Sequence, residues 1–343
     1  MIRRDRDFSE FLKILRRQGK PRYLPFYEHI ASSGFIARAT NTPFDKLSGS
    51  DDAYWKIYVD FWMEMGYDNV PLEAPLKLPL PVGHDALSEQ SEAKVVFRSM
   101  EDFDKYPWPD ESDPIDFRPF EKVATHLPAG VKMIAGVGGG PYEWAARMLG
   151  TVGLAYALVD QPELVERVFE RLGRLHMSGL SQLASIDGVG ALRQGDDLGF
   201  KTSTFLRPSQ LKHHVFPIYS RMVNASHAAG KPFILHSCGN LTKVYDDIIE
   251  TCKIDAKHSF EETITPVEDF KALYGSRVTP LGGLDVDLIC RGTPAEIRAY
   301  TRRKIERCFN DGYYALGTGN SLNNYMPVEN YMIVLEEGLA ASA

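Results

Sequence analysis

An apolar stretch in the second half of the sequence, Pro232 to Leu235, leads directly into His236 and Cys238. Side chains two positions apart on an extended strand point to the same side, so His236 and Cys238 can face one point. An imidazole nitrogen and a thiolate sulfur are donors that zinc prefers. The spacing therefore predicts a pair of metal ligands. The alternative is a plain strand end, with Cys238 packed as a small apolar side chain and His236 held by a hydrogen bond.

A catalytic zinc site needs a third protein ligand and one open position. The next apolar stretch along the chain, 255–260, is followed by acidic residues. We expect Glu261 to be the third ligand, with His258 and Glu262 as alternates.

Two further acidic segments are candidates for proton transfer. In the pair Asp196-Asp197, one carboxylate raises the pKa of the other, which suits a general acid or base. The same pair can equally cap a helix. Glu143 is a second candidate proton donor, and Tyr142 beside it is expected to position the substrate. The preceding glycines, 136–140, lack the lysine of a phosphate-binding loop, so we expect them to allow close backbone approach instead.

Eight short apolar stretches alternate with helical patterns and predict the framework that positions these side chains. The predicted strands are 23–27, 69–73, 132–137, 190–195, 232–236, 255–260, 278–283 and 313–317. Strands that alternate with helices form parallel sheets, and eight of them predict an α/β fold of the closed (β/α)8 TIM-barrel type. An open doubly wound sheet is the alternative. We expect one domain over residues 1–343.

The segment 74–130 is too long for one loop of such a barrel and is rich in proline and aspartate. Long loops in compact domains often act as lids or binding loops. We therefore predict an insertion after the second strand that passes over the barrel mouth. A solvated insertion and a dimer contact are the alternatives.

In a barrel of this type, functional residues lie at the carboxyl ends of the strands. Glu73, at the end of the second predicted strand, joins Asp196, Glu143 and Tyr142 as a candidate catalytic residue. The remaining polar residues at strand ends are candidates for substrate binding, namely Glu28, His29, Asp197, Asp285 and Asn320.

Composition excludes several other functions. The 343-residue chain has a formal net charge of −7, and its basic residues are scattered, which argues against a nucleic-acid partner. Its four cysteines form no CxxC pair, which indicates reduced thiols and a cytoplasmic protein. The first 18 residues lack the apolar core of a signal peptide, and no apolar stretch is long enough to span a membrane.

Five segments resemble the uroporphyrinogen decarboxylase superfamily. They are GDDLGFKTS (195–203), AAGKPFILHSCGN (228–240), DAKHSF (255–260), LGGLDVD (281–287) and YYALGTGNSLNNYMPVENY (313–331). Their order and spacing cover roughly the last 150 residues, whereas the first half is similar only in outline. The resemblance implies a (β/α)8 barrel with the active site at its carboxyl-terminal mouth.

The sequence departs from the metal-free decarboxylases of this superfamily. They carry an arginine-rich amino-terminal segment, an aspartate that contacts the substrate, and a histidine late in the chain. Here Glu28 and His29 stand in the early segment, Glu73 at the aspartate position and Thr318 at the histidine position. An acidic mouth would also repel a substrate with many carboxylates.

The zinc-dependent methyltransferases of the superfamily are more similar. Their histidine–cysteine pair matches His236 and Cys238, but their late cysteine ligand is replaced by Asn320. Glu261 lies about as far beyond the pair as the zinc-binding glutamate of cobalamin-independent methionine synthases. The resemblance implies an enzyme that passes a methyl group from a small donor, for which an O-methylated compound is one candidate, to a corrinoid protein with the help of zinc. A metal-free decarboxylase or lyase of a small acid and a non-catalytic binding protein are the alternatives, and homodimer formation stays open.

Overall fold

The computed structural model describes residues 5–80 and 95–341. Its centre is a parallel sheet of six strands in the order β1-β2-β3-β4-β5-β6, so each strand pairs with the next along the chain. The strands are β1 Asn69–Pro75, β2 Lys132–Gly138, β3 Val189–Gly195, β4 Phe233–His236, β5 Ala256–His258 and β6 Thr279–Pro280. The helices that connect them pack on the outside, as the α/β pattern predicts.

Two parallel bridges continue the sheet beyond β6. Leu281 pairs with Ala315, and Leu316 pairs with Phe26, which brings the chain back towards β1. Where the segment at Phe26 meets β1, the side-chain amide of Asn69 donates to the carbonyl of Phe26 at 3.0 Å. The fold is thus the predicted TIM-barrel type, with six regular strands and two stretches that contribute isolated bridges.

The first and last predicted strands were therefore too long. Pro25 precedes the bridging residue Phe26 and has no amide hydrogen to donate, which limits the ladder on that side. Its carbonyl still accepts from the amide of Leu316 at 2.8 Å.

Among the described residues the α-helices are α1 Phe8–Arg16, α2 Ser33–Thr40, α3 Asp52–Glu64, α4 Met100–Lys105, α5 Arg118–His126, α6 Pro141–Leu149, α7 Thr151–Asp160, α8 Pro162–Ser185, α9 Pro208–Gln210, α10 Phe216–Ala228, α11 Val267–Tyr274, α12 Val286–Arg291, α13 Pro294–Cys308 and α14 Val328–Ala340. A 3-10 turn spans Phe44–Lys46, and π-helical turns span Leu211–Val215 and Asp247–Thr251. None of these helices is long and apolar enough to cross a membrane.

Two helical segments begin at residues that favour a helix start. The segment that begins at Pro208 runs through α9, a π-helical turn and α10, and it stops before Gly230, whose φ of +69° suits glycine. Thr293 caps α13 in a reciprocal arrangement, in which its hydroxyl accepts from the amide of Glu296 and the Glu296 carboxylate accepts from the amide of Thr293.

The amino-terminal helix α1 closes one end of the barrel. Its buried face carries Phe8, Phe11 and Ile14, which pack with the small and aliphatic side chains that fill the barrel interior. The amide of Phe8 donates to the carbonyl of Gly130, just before β2, so α1 lies at the amino-terminal ends of the strands. Because the described residues at this end are apolar and closely packed, we expect a polar site at the opposite end.

The predicted insertion is described in part, since 81–94 lie outside the described residues. On either side of that gap, Leu76 forms an antiparallel bridge with Ile115, and the amides of Val96 and Phe97 both donate to the carbonyl of Met148 in α6. An aromatic cluster of Phe97, Phe103, Tyr106 and Trp108 packs the segment together. That the insertion passes over the barrel mouth stays a prediction.

Candidate active site

The polar centre of the molecule lies where β4 and β5 end. His236 and His258 are the last residues of these strands and are direct neighbours in the register. Ile234 and Ala256, two positions earlier on the same strands, belong to the apolar interior. Since side chains two apart share a face, both histidines point into the barrel interior, next to these apolar residues.

The hydrogen bonds of the two histidines define their tautomers. His258 Nε2 lies 3.0 Å from the carbonyl oxygen of Thr318, an acceptor only, so Nε2 carries the hydrogen and Nδ1 of His258 is bare. His236 Nδ1 lies 2.8 Å from that bare nitrogen and must donate to it. The assignment leaves Nε2 of His236 with a free lone pair, which is the form that binds a metal.

Burial keeps both rings neutral. It lowers the pKa of His258 to about 3 and lowers the pKa of His236 well below its usual range, and the nearby Lys257 adds to both shifts. The neutral forms agree with the tautomers that the hydrogen bonds require.

Three donor atoms converge beside the His236 lone pair. Nε2 of His236 lies 3.5 Å from Sγ of Cys238 and 3.8 Å from Oδ1 of Asp197, and all three atoms lie within 4.8 Å of one another. The amide of Cys238 donates to the same Asp197 oxygen at 2.8 Å, which holds the carboxylate in place. We call Asp197, His236 and Cys238 the mouth triad.

Sulfur, imidazole nitrogen and carboxylate oxygen form a donor set that suits zinc. Burial raises the pKa of the Cys238 thiol far above its usual range, and the negative charge of Asp197 raises it further. A thiol in this position keeps its proton unless a positive charge compensates it, and a divalent cation supplies that charge. The residues present therefore fit the predicted metal, and zinc bound here would act as a Lewis acid on a substrate heteroatom.

The oxygen that lies beside His236 and Cys238 belongs to Asp197, and Glu261 as the third ligand stays a prediction. Asp197, predicted to bind substrate, supplies the oxygen of the mouth triad, whereas the Glu261 carboxylate accepts from the amide of Gly239 at 3.3 Å. The alternate His258 orients His236 instead, and the alternate Glu262 accepts from the hydroxyl of Tyr300. Asp197 follows β3, which pairs with β4, so the neighbouring strand on that side delivers the oxygen.

A second layer of polar side chains lies next to the triad. The ring of His29 stacks on His236 with centroids 3.8 Å apart. Arg193 donates to the carbonyl and to Nδ1 of His29, and its other terminal nitrogen donates to Glu73 at 3.0 Å. Because Arg193 Nη1 donates to His29 Nδ1 at 3.1 Å, the His29 hydrogen sits on Nε2, 3.8 Å from the Glu73 carboxylate.

Arg193 was missed by the sequence analysis, although it is fully buried in the barrel. The signal was available: VGALRQG is an apolar strand with one arginine at its centre, and a buried arginine is almost always paired. Here the pair is Glu73, whose side chain stays 26% exposed and is the accessible half of the ion pair.

Asp196 and Glu143, the two other predicted proton donors, are engaged in capping α6. The Asp196 carboxylate accepts from the amides of Tyr142 and Glu143 and from the hydroxyl of Tyr219 at 2.7 Å. The Glu143 carboxylate accepts from the amide of Gly140 at 3.0 Å. Burial raises the pKa of Asp196 to about 7. The helix-capping alternative thus describes its contacts, and Tyr142 stacks on Phe205 nearby.

The glycine-rich stretch after β2 permits close approach, as expected. A Cβ atom on Gly140 would lie only 2.0 Å from the carboxyl carbon of Asp196, so the two atoms would overlap. The amino-terminal end of α6 reaches the buried carboxylate only because this position carries no side chain.

The Glu28 carboxylate joins the first and last segments of the barrel instead of lining the mouth. Its carboxylate accepts from the amide and hydroxyl of Thr318, both at 2.6 Å, and from the hydroxyl of Tyr331 at 2.8 Å. The side chain is fully buried, and burial raises its pKa to about 7.

The last two predicted substrate-binding residues lie in different settings. Asp285 caps α12 through a 2.8 Å bond from the amide of Leu288. Asn320 lies at the mouth, where its side-chain amide donates to Sγ of Cys238 at 3.5 Å. Asn320 is exposed, so the side of the mouth triad that it flanks is open to solvent.

Comparison with known proteins agrees with this architecture. Residues 31–338 match the family model described as uroporphyrinogen decarboxylase (URO-D). The structure is similar to a methyltransferase from Methanosarcina mazei, with a TM-score of 0.71, 12% sequence identity, and coverage of 97% of this chain and 98% of that chain. It is also similar to a protein assigned as a vitamin-B12-independent methionine synthase from Listeria monocytogenes, with a TM-score of 0.53, 13% identity, and coverage of 93% and 98%. The comparison with curated proteins found no match.

Proposed function

The chain belongs to the uroporphyrinogen decarboxylase family, and from that premise we propose that it is a methyltransferase-like enzyme. In this proposal it takes a methyl group from a small, O-methylated donor and passes it to a corrinoid protein that docks over the mouth. The observation that carries the proposal is the mouth triad, in which a metal-ready His236 nitrogen meets the Cys238 thiol and the Asp197 carboxylate.

The triad leaves a fourth position for the substrate. Zinc in catalytic sites keeps three protein ligands and one open position. Asn320 lies where the related methyltransferases carry a further cysteine ligand, and a neutral amide is a much weaker ligand than a thiolate. Asn320 contacts Cys238 from the exposed side, so a metal held by the triad would be within reach of a donor that enters from solvent.

Methyl transfer from an ether oxygen breaks the carbon–oxygen bond and leaves the electron pair on the oxygen. The methyl carbon bonds to the nucleophilic centre of the corrinoid, which is the second substrate. The oxygen then needs a proton, because an alkoxide is a poor leaving group. Glu73 is a predicted catalytic residue with a partly exposed carboxylate, and its contacts with Arg193 and His29 hold it next to the ring that stacks on His236. We assign it the relay of that proton from solvent, because its carboxylate is ionised in the pair with Arg193 and can accept a proton before it passes one on.

Asp196, Glu143 and Tyr142 serve this chemistry indirectly in the proposal. Their contacts anchor the start of α6 against the end of β3, so they position the segment that carries Asp197. Asp197 is next to Asp196 in the chain, and displacement of one carboxylate would displace the other.

A metal-free decarboxylase is the second candidate, and the charge arrangement does not favour it. A decarboxylase needs a cation that receives the substrate carboxylate. Among the described residues of the mouth, Arg193 is already paired with Glu73 and shielded from solvent. The buried Lys257 points its ammonium group to the carbonyl of Ser259 and to the ring of Phe260.

Metal content provides the first test. The chain, purified without a metal-affinity tag and supplied with zinc, should lose one zinc per chain in the variant Cys238→Ser. Cys290→Ser is the matched control, because Cys290 lies on α12 outside the triad. Equal metal content in both variants would contradict the assignment of Cys238 as a ligand.

Activity provides the second test. Methyl ethers and methylated thiols would be screened with free cob(I)alamin as the acceptor, and methylation would be followed by its absorption spectrum. We expect turnover with the wild-type chain and with Cys290→Ser, and none with Cys238→Ser. Turnover that is insensitive to chelators would contradict the role of the metal in this reaction.

A further inference from the structure

A second group of metal-type donors lies on the outside of the barrel, away from the mouth triad. It consists of Glu166 on α8 and of His213 and His214 on the π-helical turn between α9 and α10. One donor atom from each residue lies within 4.8 Å of the other two. We call these three residues the outer cluster.

The geometry points to a binding site for a divalent transition-metal ion at the outer cluster. Oε1 of Glu166 lies between two imidazole nitrogens, in contact with Nε2 of His213 and 3.8 Å from Nδ1 of His214. Two imidazoles and one carboxylate are donors that zinc, nickel and copper accept, whereas magnesium and calcium prefer oxygen ligands.

His214 supplies the observation that an ordinary ion pair does not explain. Its side chain is only 8% exposed, and among the described residues its Nδ1 has no hydrogen-bond partner. Buried polar atoms are satisfied in most proteins, so an unpaired nitrogen that faces a carboxylate suggests a missing ligand. A simple pair between Glu166 and His213 would leave this nitrogen unsatisfied.

The surrounding structure holds His214 in position. Its ring stacks on Phe169 of α8 with centroids 5.0 Å apart and an interplanar angle of 19°. Phe169 lies three residues after Glu166, so the same face of α8 presents the carboxylate and the ring that supports His214. The π-helical turn places the neighbouring His213 ring at 82° to that of His214, with centroids 4.6 Å apart.

His213 and Glu166 can complete the site without any rearrangement of the backbone. Their side chains are 65% and 53% exposed, so both are free to close on an ion by a small movement. A bound ion would join α8 to the helix that begins at Pro208 and would leave its remaining positions to water. The site is independent of the proposed methyl transfer and would stabilise the outer layer of the barrel.

The test uses the full chain without an affinity tag, titrated with Zn²⁺ by calorimetry in the Cys238→Ser background. We expect one remaining site, and addition of His213→Ala should weaken it by at least the roughly 10- to 100-fold that loss of a supporting outer-shell residue costs. The matched control is His227→Ala, an exposed histidine that pairs with Asp255 alone at 2.7 Å, and it should leave Zn²⁺ binding unchanged.

Thermal denaturation gives a second readout that does not depend on activity. Zn²⁺ should raise the Tm of the Cys238→Ser chain and of its His227→Ala derivative, but not that of its His213→Ala derivative. Glu166→Gln should behave like His213→Ala.

Equal Zn²⁺ binding with and without His213 would overturn the outer site. Failure of the mouth site would look different, because Co²⁺ bound there should show a thiolate charge-transfer band that nitrogen and oxygen ligands do not produce. Absence of that band in the wild-type chain would argue against the mouth triad and leave the outer site unaffected.

Discussion

His236 and His258 face each other across β4 and β5 and share a hydrogen bond of 2.8 Å between their Nδ1 atoms. The carbonyl of Thr318 determines the direction of this bond, because it can only accept from His258. A backbone oxygen near the end of the barrel therefore decides which nitrogen of His236 is available to a metal. The same contact joins β4, β5 and the last bridging segment into one unit.

Removal of this orienting contact should weaken metal binding without loss of the fold. In His258→Leu, the His236 ring loses the acceptor that holds its Nδ1 hydrogen, and zinc affinity should fall by roughly 10- to 100-fold. Competition with a chromophoric chelator measures the change. A melting curve close to that of the wild type would show that the barrel is intact. Unchanged zinc affinity would refute the orienting role of His258.

Paired substitutions distinguish Asp197, the carboxylate of the mouth triad, from Glu261, the ligand predicted from the sequence. Asp197→Asn should reduce zinc affinity strongly, because the amide carries no charge and is a poor zinc ligand. Glu261→Gln should change it little, since the Glu261 carboxylate contacts the amide of Gly239 instead. The opposite ranking in a zinc titration would restore Glu261 as the ligand.

Metal affinity should rise with pH, because the Cys238 thiol must lose its proton when a metal binds. Burial and Asp197 raise the pKa of Cys238, so the thiol keeps its proton at neutral pH in the absence of metal. Metal binding must release that proton, and affinity should therefore rise as pH rises. Titrations between pH 6 and 8 in two buffers of different ionisation enthalpy would count the protons. In Cys238→Ser the released proton should be absent.

The contribution of Glu28 to stability should fall as pH rises, which is opposite in sign to the contribution of the buried neutral histidines. Burial raises the pKa of Glu28 from 4.5 to about 7, so the folded chain holds a proton that the unfolded chain releases. The stabilisation is complete below about pH 4.5 and is lost as pH rises through 7, with a magnitude on the order of 3 kcal/mol. Asp196, with a raised pKa of about 7, contributes with the same sign.

The variant Glu28→Gln tests this dependence because the amide stays neutral at every pH. The Tm of the variant relative to that of the wild type should therefore rise as pH increases from 4.5 to 7.5. Glu101→Gln, on the exposed side of α4, is the matched control and should retain the wild-type slope. Parallel slopes for all three proteins would show that Glu28 does not carry the effect.

The close approach at Gly140 should make that position intolerant of any side chain. In Gly140→Ala, the new Cβ would overlap the Asp196 carboxyl carbon, and either α6 or the end of β3 must move. Overpacking of this kind costs about 1–3 kcal/mol, measured by urea denaturation. Gly49→Ala, whose Cβ would meet its nearest neighbour at 3.5 Å, should cost much less.

Much of the barrel followed from local sequence patterns. Six predicted strands form the sheet within one or two residues at most ends, since each is a short apolar stretch bounded by breakers. The first and last were shorter than predicted, because Pro25 removes a donor and the pairing partners lie at opposite ends of the chain. Local composition does not report the length of such a long-range ladder.

The candidate site was predictable to the extent that one strand determines it. His236 and Cys238 belong to one short stretch, and their spacing alone places both side chains on one side. Their contact at 3.5 Å follows from that geometry. Arg193 could have been found by the same reasoning, as a charge at the centre of an apolar strand.

The third oxygen, the tautomer of His236 and the roles of the paired aspartates depend on contacts between strands. Asp197 and Glu261 are both acidic residues beyond a strand end, and only the packing of β3 against β4 brings Asp197 Oδ1 within 3.8 Å of His236. The sequence by itself determined the barrel class and the histidine–cysteine pair, because both arise from periodicity within single segments. The tertiary structure decided which neighbours those residues meet, because a side chain's partners lie on strands far away in the chain.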